Sequence, residues 1–70
     1  MEYTNSQIRE LIAEHIHSER DRRILERRLI DGITFERLAE ESELSVSQVK
    51  RIIMRESGII FRTYEKMIRK

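Results

Sequence analysis

Cysteine, proline and tryptophan are absent from this chain of 70 residues, which contains only two glycines. Without cysteine, neither a disulfide framework nor a thiolate metal site can form, and this fits a reducing compartment. No apolar run approaches the roughly 18 residues that a membrane span requires, and we see no secretory leader. The absences therefore predict a small, soluble, intracellular domain without a membrane partner.

The near balance of charge hides an uneven distribution. Fourteen Lys and Arg against 13 Asp and Glu give a net charge of +1, whereas nucleic-acid-binding domains often have a larger basic excess. Residues 34–45 carry a net charge of −3, and residues 46–70 carry +5. Eleven of the cations are arginine, which suits bidentate contacts with phosphate or carboxylate. Two interpretations stay open: a salt-bridged helical surface, or a surface for an anionic partner.

Helix caps and apolar periodicity predict an all-α fold of four to five short helices. A capping box, in which a hydroxyl residue is followed three positions later by Gln or Asp, occurs at Thr4, Ser18 and Ser45, and Thr34 is a further cap. The predicted helices span about 5–17, 19–30, 34–41 and 45–57, and Gly58 allows a break or bend. The predicted apolar positions are Ile8, Leu11, Ile12, Ile16, Ile24, Leu25, Leu29, Phe35, Leu38, Ala39, Val49, Ile52, Ile53, Ile59, Ile60, Tyr64, Met67 and Ile68.

Residues with catalytic or metal-binding chemistry do not form a recognisable site. His15 and His17 are two positions apart and point to different sides of a helix, so they cannot chelate one metal together. Glu40 and Glu41 fit a solvated helix face better than a general acid–base pair, and we find no glycine-rich phosphate loop. We therefore expect no enzymatic activity, no cofactor, no metal and no small-molecule substrate.

Residues 34–57 have the pattern of a helix-turn-helix, with a short helix, a turn of three or four residues and a longer helix. On a helical wheel, the longer helix has one mostly apolar side, which includes Glu56. The opposite side carries a hydroxyl, two cations and a flexible apolar group: Ser47, Lys50, Arg51 and Met54. Such a side suits the major groove, where cations donate to guanine and Met54 or Val46 can contact a thymine methyl. The alternative is an ordinary solvated amphipathic helix.

Residues 18–62 resemble region four of bacterial sigma factors, the helix-turn-helix module that reads the −35 promoter element. The matching sequence is SERDRRILERRLIDGITFERLAEESELSVSQVKRIIMRESGIIFR, with a capped arginine-rich helix, a glycine-containing elbow and a turn that ends in Leu-Ser. The resemblance implies a single sigma-like domain without a winged strand, in which residues 1–17 form an N-terminal helix, 18–57 the DNA-binding core and 58–70 a C-terminal amphipathic segment. It also implies a bacterial or phage-encoded cytoplasmic protein associated with the nucleoid.

The resemblance assigns roles to individual residues. The base-reading positions, with the last one added from the wheel, are Val46, Ser47, Lys50, Arg51 and Met54. The family's phosphate contacts fall on Arg20, Arg28 and Thr34, and a helix N-terminus such as that at Thr34 favours an anion. Arg55, further along the recognition helix, is a fourth phosphate contact. For Arg20 and Arg28, an intrahelical ion pair is the alternative.

Two features depart from the family pattern. Ser42-Glu43 replaces the usual Leu-Gly of the turn, and a left-handed backbone at Glu43 would cost about 1 kcal/mol relative to glycine. Ser47 stands where the family has a glutamate that accepts from cytosine or a neighbouring arginine, so the target sequence is open. We also expect 70 residues to leave no room for the region that melts promoter DNA, and therefore do not expect a complete sigma factor.

The leading hypothesis is a stand-alone transcription regulator that binds double-stranded DNA through helix 46–57. Two versions stay open: a detached sigma-like module that acts on RNA polymerase, and a homodimer joined through residues 8–16 or 59–68. The alternative class is a protein-interaction module, an adaptor or inhibitor that docks on RNA polymerase or another transcription factor without DNA contact. The sequence leaves open the DNA target, the sign of regulation and the oligomeric state.

Overall fold

The computed structural model describes the backbone of residues 3–68 and the side chains of residues 3–62. Four helices follow one another in this range: α1 (Asn5–His15), α2 (Glu19–Leu29), α3 (Phe35–Ser42) and α4 (Val46–Ile68). The described backbone contains no strand, which confirms the all-α prediction. None of these four helices has both the length and the apolar character that crossing a membrane requires.

Side-chain caps fix the starts of the helices as the sequence predicts. At α1, the Thr4 hydroxyl accepts from the Gln7 N–H at 3.1 Å, and the Gln7 side chain accepts from the Thr4 N–H at 2.9 Å. Ser45 and Gln48 form the same reciprocal pair at α4, at 3.1 and 2.9 Å. The Thr34 hydroxyl caps α3. Each complete box satisfies two amide groups near the helix N-terminus that have no intrahelical partner.

The predicted box at the start of α2 is only half formed. The Ser18 hydroxyl accepts from the Asp21 N–H at 3.4 Å, but the Asp21 side chain does not return to the Ser18 amide. Its carboxylate instead accepts from Arg20 at 3.1 Å and lies beside the carboxyl group of Glu56 in α4. Asp21 therefore connects two helices rather than closing a cap.

Helix α1 ends at His15, slightly before the predicted end, and Ile16 has an extended backbone. Arg22 of α2 donates to the carbonyl oxygen of Ile16 and to that of Ala13 at 3.1 Å. These carbonyl groups lie at the negative end of the helix dipole and have few intrahelical partners. The Arg22 guanidinium therefore caps α1 and fixes the position of α2 beside it.

Two residues with left-handed backbone separate α2, α3 and α4. Gly32, with φ 70°, lies between α2 and α3, and Glu43, with φ 57°, ends α3. The Glu43 N–H donates to the carbonyls of Ala39 and Glu40, and the Leu44 N–H donates to Ala39 at 3.0 Å. These bonds satisfy the end of α3 in the way that a glycine usually permits. The turn therefore forms at the cost of a strained glutamate.

Aliphatic side chains from all four helices form one core. Helix α4 contacts each of the other three helices, and α2 also contacts α1 and α3. Among the predicted apolar positions, Leu29 and Phe35 are only partly buried, and Ile59 is 44 % exposed. The buried core consists of Ile8, Leu11, Ile12, Ile16, Ile24, Leu25, Leu38, Ala39, Val49, Ile52, Ile53 and Ile60.

Helix α4 continues through Gly58 as one helix of 23 residues, about 34 Å long, so residues 58–68 of the predicted C-terminal segment form its second half. Ile60 is fully buried, and Phe61 stacks against Tyr3 with ring centroids 4.9 Å apart. These contacts hold the second half of α4 on the core and offset the helix-weakening effect of glycine. The remaining predicted apolar positions lie outside the described side chains: Tyr64, Met67 and Ile68.

Gly58→Ala is expected to raise the free energy of unfolding by about 0.5–1 kcal/mol, since alanine favours a helix interior. A Cβ added at Gly58 meets nothing within 4 Å, and the same holds at Gly32, where φ is +70°. Gly32→Ala is the matched control and should lower the free energy of unfolding by about 1 kcal/mol, because alanine disfavours left-handed backbone. Urea unfolding measures both values, and a destabilised Gly58→Ala variant would contradict a continuous α4.

Candidate nucleic-acid interface

The exposed side of the first half of α4 brings together four of the five residues predicted to read bases. Positions i, i+3, i+4 and i+7 share one side of a helix. This places Ser47, Lys50, Arg51 and Met54 side by side, and all four are exposed, Met54 by 76 %. Together with Arg55, they line one open hollow on the surface. The side is therefore cationic, with an exposed thioether beside the cations.

Val46, the fifth predicted base-reading residue, is half-buried and packs against the core. It is the first residue of α4 and shares the inward direction of Val49. Its side chain therefore helps to hold the start of the helix, and only part of it is available to a ligand. The remaining positions that the wheel assigns to the inner side are buried: Ile52, Ile53 and Glu56.

Phe35 connects α2 with the exposed side of α4 through two cations. The Arg28 guanidinium carbon lies 4.3 Å from the ring centroid, and the Lys50 ammonium lies 5.5 Å from it. Both distances are within the range of cation–π attraction. Arg28 also donates to the Ile33 carbonyl at 3.0 Å, in place of the ion pair considered for it. Thr34 uses its hydroxyl to cap α3, so two of the predicted phosphate contacts already have structural roles.

The other two predicted phosphate contacts, Arg20 and Arg55, each pair with an adjacent acid. Arg20 lies 3.1 Å from Asp21, and Arg55 lies 3.0 Å from Glu56. The arginine side chains are 55 % and 59 % exposed, respectively. Each guanidinium is therefore fixed on its inner edge and open to solvent on its outer edge. For Arg20, the intrahelical ion pair considered as an alternative is present.

The acids of these two pairs are buried together where α2 meets α4. Asp21 and Glu56 are each 6 % exposed. Burial and the neighbouring Asp21 carboxyl raise the pKa of Glu56 above its ordinary value, against a smaller opposing effect of Arg55. Sequence reasoning missed this pair, because it interpreted Asp21 as a cap. The available signal was an acidic residue on the apolar side of a helical wheel.

Other charges of α2 also serve the fold. Arg27 forms a two-point contact with Glu41 of α3, with nitrogen–oxygen distances of 2.6 and 3.1 Å. This hydrogen-bonded contact lowers the pKa of Glu41, with a further effect of Arg37 at 3.6 Å. For α2, the salt-bridged interpretation describes Arg20 and Arg27, whereas Arg22 and Arg28 donate to backbone carbonyls.

The two histidines lie beside the buried acids. His15 and His17 line a hollow of about 190 Å³ together with Asp21, Glu56 and Arg55. Among the described residues, no group of three or more histidine or carboxylate side chains is arranged to hold a metal ion. We therefore assign no metal to this hollow.

A scan against protein-family models and searches of curated proteins and solved structures give no match. The similarity to sigma region four therefore rests on the residues quoted above, and the helix-turn-helix assignment stays a prediction. The class that the fold itself defines is a small domain of four helices.

The contact between Arg28 and Phe35 should be measurable as a coupling energy. In a double-mutant cycle, Arg28→Met and Phe35→Leu are expected to couple by about 0.5–1 kcal/mol in unfolding free energy, because either change removes the cation–π contact. Arg28→Met with Phe61→Leu is the control, because Phe61 stacks on Tyr3, and these two changes should add. Additivity in both pairs would contradict the contact.

Proposed function

We propose that this protein is a sequence-specific transcription regulator that binds double-stranded DNA and reads the major groove with the exposed side of α4. One observation carries the proposal: a hydroxyl, two cations and a thioether lie together on one open side of a helix. Within the described residues, neither Lys50 nor Arg51 takes part in an ion pair. These cations therefore remain available to an anionic partner, unlike most of the arginines of α2.

The order and size of the helices support a helix-turn-helix. Helix α3 has eight residues, the connection spans residues 43–45, and α4 packs directly against α3. A helix of this kind fits the major groove, whose width of about 12 Å admits a helix with its side chains. In the proposed complex, the first half of α4 is the recognition helix, and α3 supports it.

The side chains of this helix supply the donors and acceptors that base recognition needs. Lys50 and Arg51 can donate to guanine O6 and N7, Ser47 can donate or accept, and Met54 can contact a thymine methyl. Arg20 and Arg55 can donate to phosphate oxygens from their solvent-exposed edges, which positions the protein without reading sequence. The proposal includes RNA polymerase or a second copy of the chain as a partner, because one recognition helix buries little DNA surface.

Lys50→Ala and Arg51→Ala are each expected to cost roughly 1–3 kcal/mol of binding free energy on the preferred duplex and to relax its sequence preference. Arg20→Ala should weaken binding to all duplexes alike and reduce the salt dependence, because it contacts phosphate. Arg9→Ala is the matched control, because Arg9 is exposed on α1. The DNA affinity of this variant should stay near that of the wild type. Fluorescence anisotropy at several salt concentrations measures these differences.

Selection of bound duplexes from a random-sequence pool tests the proposal itself. We expect the wild type to enrich a sequence of several base pairs. The Lys50→Ala and Arg51→Ala proteins should bind that sequence more weakly and should not enrich it. No binding at tens of micromolar protein and low salt would contradict the proposal, as would an affinity that these substitutions leave unchanged.

A second candidate is a protein-interaction module that docks on RNA polymerase or another transcription factor without DNA contact. The observation that favours it is an acidic side on α3, where Glu36 and Glu40 are exposed one helical turn apart, with exposed Glu43 in the turn that follows. Reversal of charge at Lys50 and Arg51 separates the candidates. Co-purification with RNA polymerase that survives the reversal, together with no DNA binding by the wild type, would favour this second function.

A further inference from the structure

Two buried carboxyl groups meet where α2 packs against α4, and one of their oxygens has no hydrogen-bond donor. Asp21 accepts from Arg20 at 3.1 Å, and Glu56 Oε2 accepts from Arg55 at 3.0 Å. Glu56 Oε1 is buried, and no donor among the described residues reaches it. Asp21 and Glu56 line the same hollow, and the Asp21 carboxyl contributes to the raised pKa of Glu56. Two ionised carboxylates only accept and cannot bond to each other.

One proton on the pair supplies the missing hydrogen-bond donor. When Glu56 is protonated, its carboxyl group becomes a donor to the Asp21 carboxylate, which keeps its ion pair with Arg20. Burial favours a proton on Asp21 as well, but the hydrogen bonds with Glu56 and Arg20 and the charges of Arg20 and Arg55 together lower its pKa, while the pKa of Glu56 is raised. Two nitrogens of the Arg20 guanidinium face one oxygen of Asp21, whereas Glu56 Oε1 has no donor. This geometry favours the proton on Glu56 and the charge on Asp21.

We propose that Asp21 and Glu56 share one proton and form a proton-dependent latch between α2 and α4 that controls how strongly Arg20 and Arg55 attract DNA phosphate. The link to phosphate rests on the proposed function, whereas the latch itself does not. With the shared proton, the two acids and two arginines carry a net charge of +1. Without it, the two carboxylates neutralise both guanidinium groups, and a second ionised carboxylate is buried beside the first.

Charged groups face the acid pair from each helix around it. Arg20 comes from α2 and Arg55 from α4. His15, at the end of α1, and His17, in the connection to α2, line the hollow beside the pair. A histidine side chain is charged only when it is protonated, so both histidines can add to the local charge. The chain has two histidines, so a His15→Gln/His17→Gln background removes this contribution.

The first measurement is unfolding free energy against pH in that background, from about pH 4 to pH 8. Since the folded state holds the Glu56 proton more tightly than the unfolded state, stability should fall as pH rises above the ordinary glutamate range of about 4.3 and through the raised pKa. Glu56→Gln cannot ionise and should remove this fall. Glu41→Gln is the control, because the pKa of Glu41 is lowered by Arg27. The loss of unfolding free energy caused by Glu41→Gln should therefore be largest at neutral pH and should become smaller in acid.

The second measurement is affinity for a duplex selected from a random pool, at about pH 5 and pH 8. We expect the affinity of the background protein to fall roughly three- to tenfold with rising pH, because the cluster loses one positive charge near phosphate. Glu56→Gln should change by less than about twofold over the same range and bind more tightly than the background at the higher pH. Glu41→Gln should keep the full dependence.

These results separate the latch from the proposed function. A Glu56→Gln stability profile parallel to that of the background overturns the latch, and a pH dependence of DNA binding that Glu56→Gln leaves intact overturns its link to phosphate. If the background protein binds no duplex at any pH, the proposed function fails, and unfolding still decides the latch. If Glu56→Gln does not fold, an NMR titration of the background protein decides, in which the side-chain carboxyl carbon-13 shifts are followed against pH. Glu56 must titrate at higher pH than Asp21, and the reverse order overturns the latch.

Discussion

Burial of one side of α4 is the constraint on which the rest of the structure depends. Val49 and Ile60 are fully buried, and they anchor the helix against the other three. Because consecutive residues are rotated by about 100° around a helix, fixing the inner side also fixes which residues face outward. Lys50, Arg51 and Met54 are exposed together for this reason, so the candidate interface is a consequence of core packing.

The arginines divide into those that hold the fold together and those that face outward. Arg22 caps α1, Arg27 bonds to Glu41, and Arg28 lies over Phe35. By contrast, Arg51 is exposed on α4. A net charge near zero is compatible with an anionic partner because the charge is unevenly distributed along the chain, with +5 on residues 46–70 and −3 on residues 34–45. Arg20 and Arg55 combine both roles, with one edge on a buried acid and the other toward solvent.

The features that the sequence predicted correctly depend on local spacing. Capping at Thr4 and Ser45 and the exposed side of α4 follow from residues within one or two helical turns, where the geometry is fixed. Local sequence does not decide the continuity of α4 through Gly58, because that continuity depends on Ile60 and on contact between residues far apart in sequence. The contact between Asp21 and Glu56 also depends on residues far apart in sequence, since the sequence around one of them does not indicate the other.

The central claim is that the exposed side of α4 contacts DNA bases, and NMR titration of the labelled protein with a selected duplex tests it most directly. We expect the largest shift changes at the amides of Ser47 and Arg51 and at the Met54 methyl group, with smaller ones at Arg20 and Arg55 and none on the outer side of α1. Shift changes confined to α1 or to the acidic side of α3, with α4 unaffected, would contradict the claim.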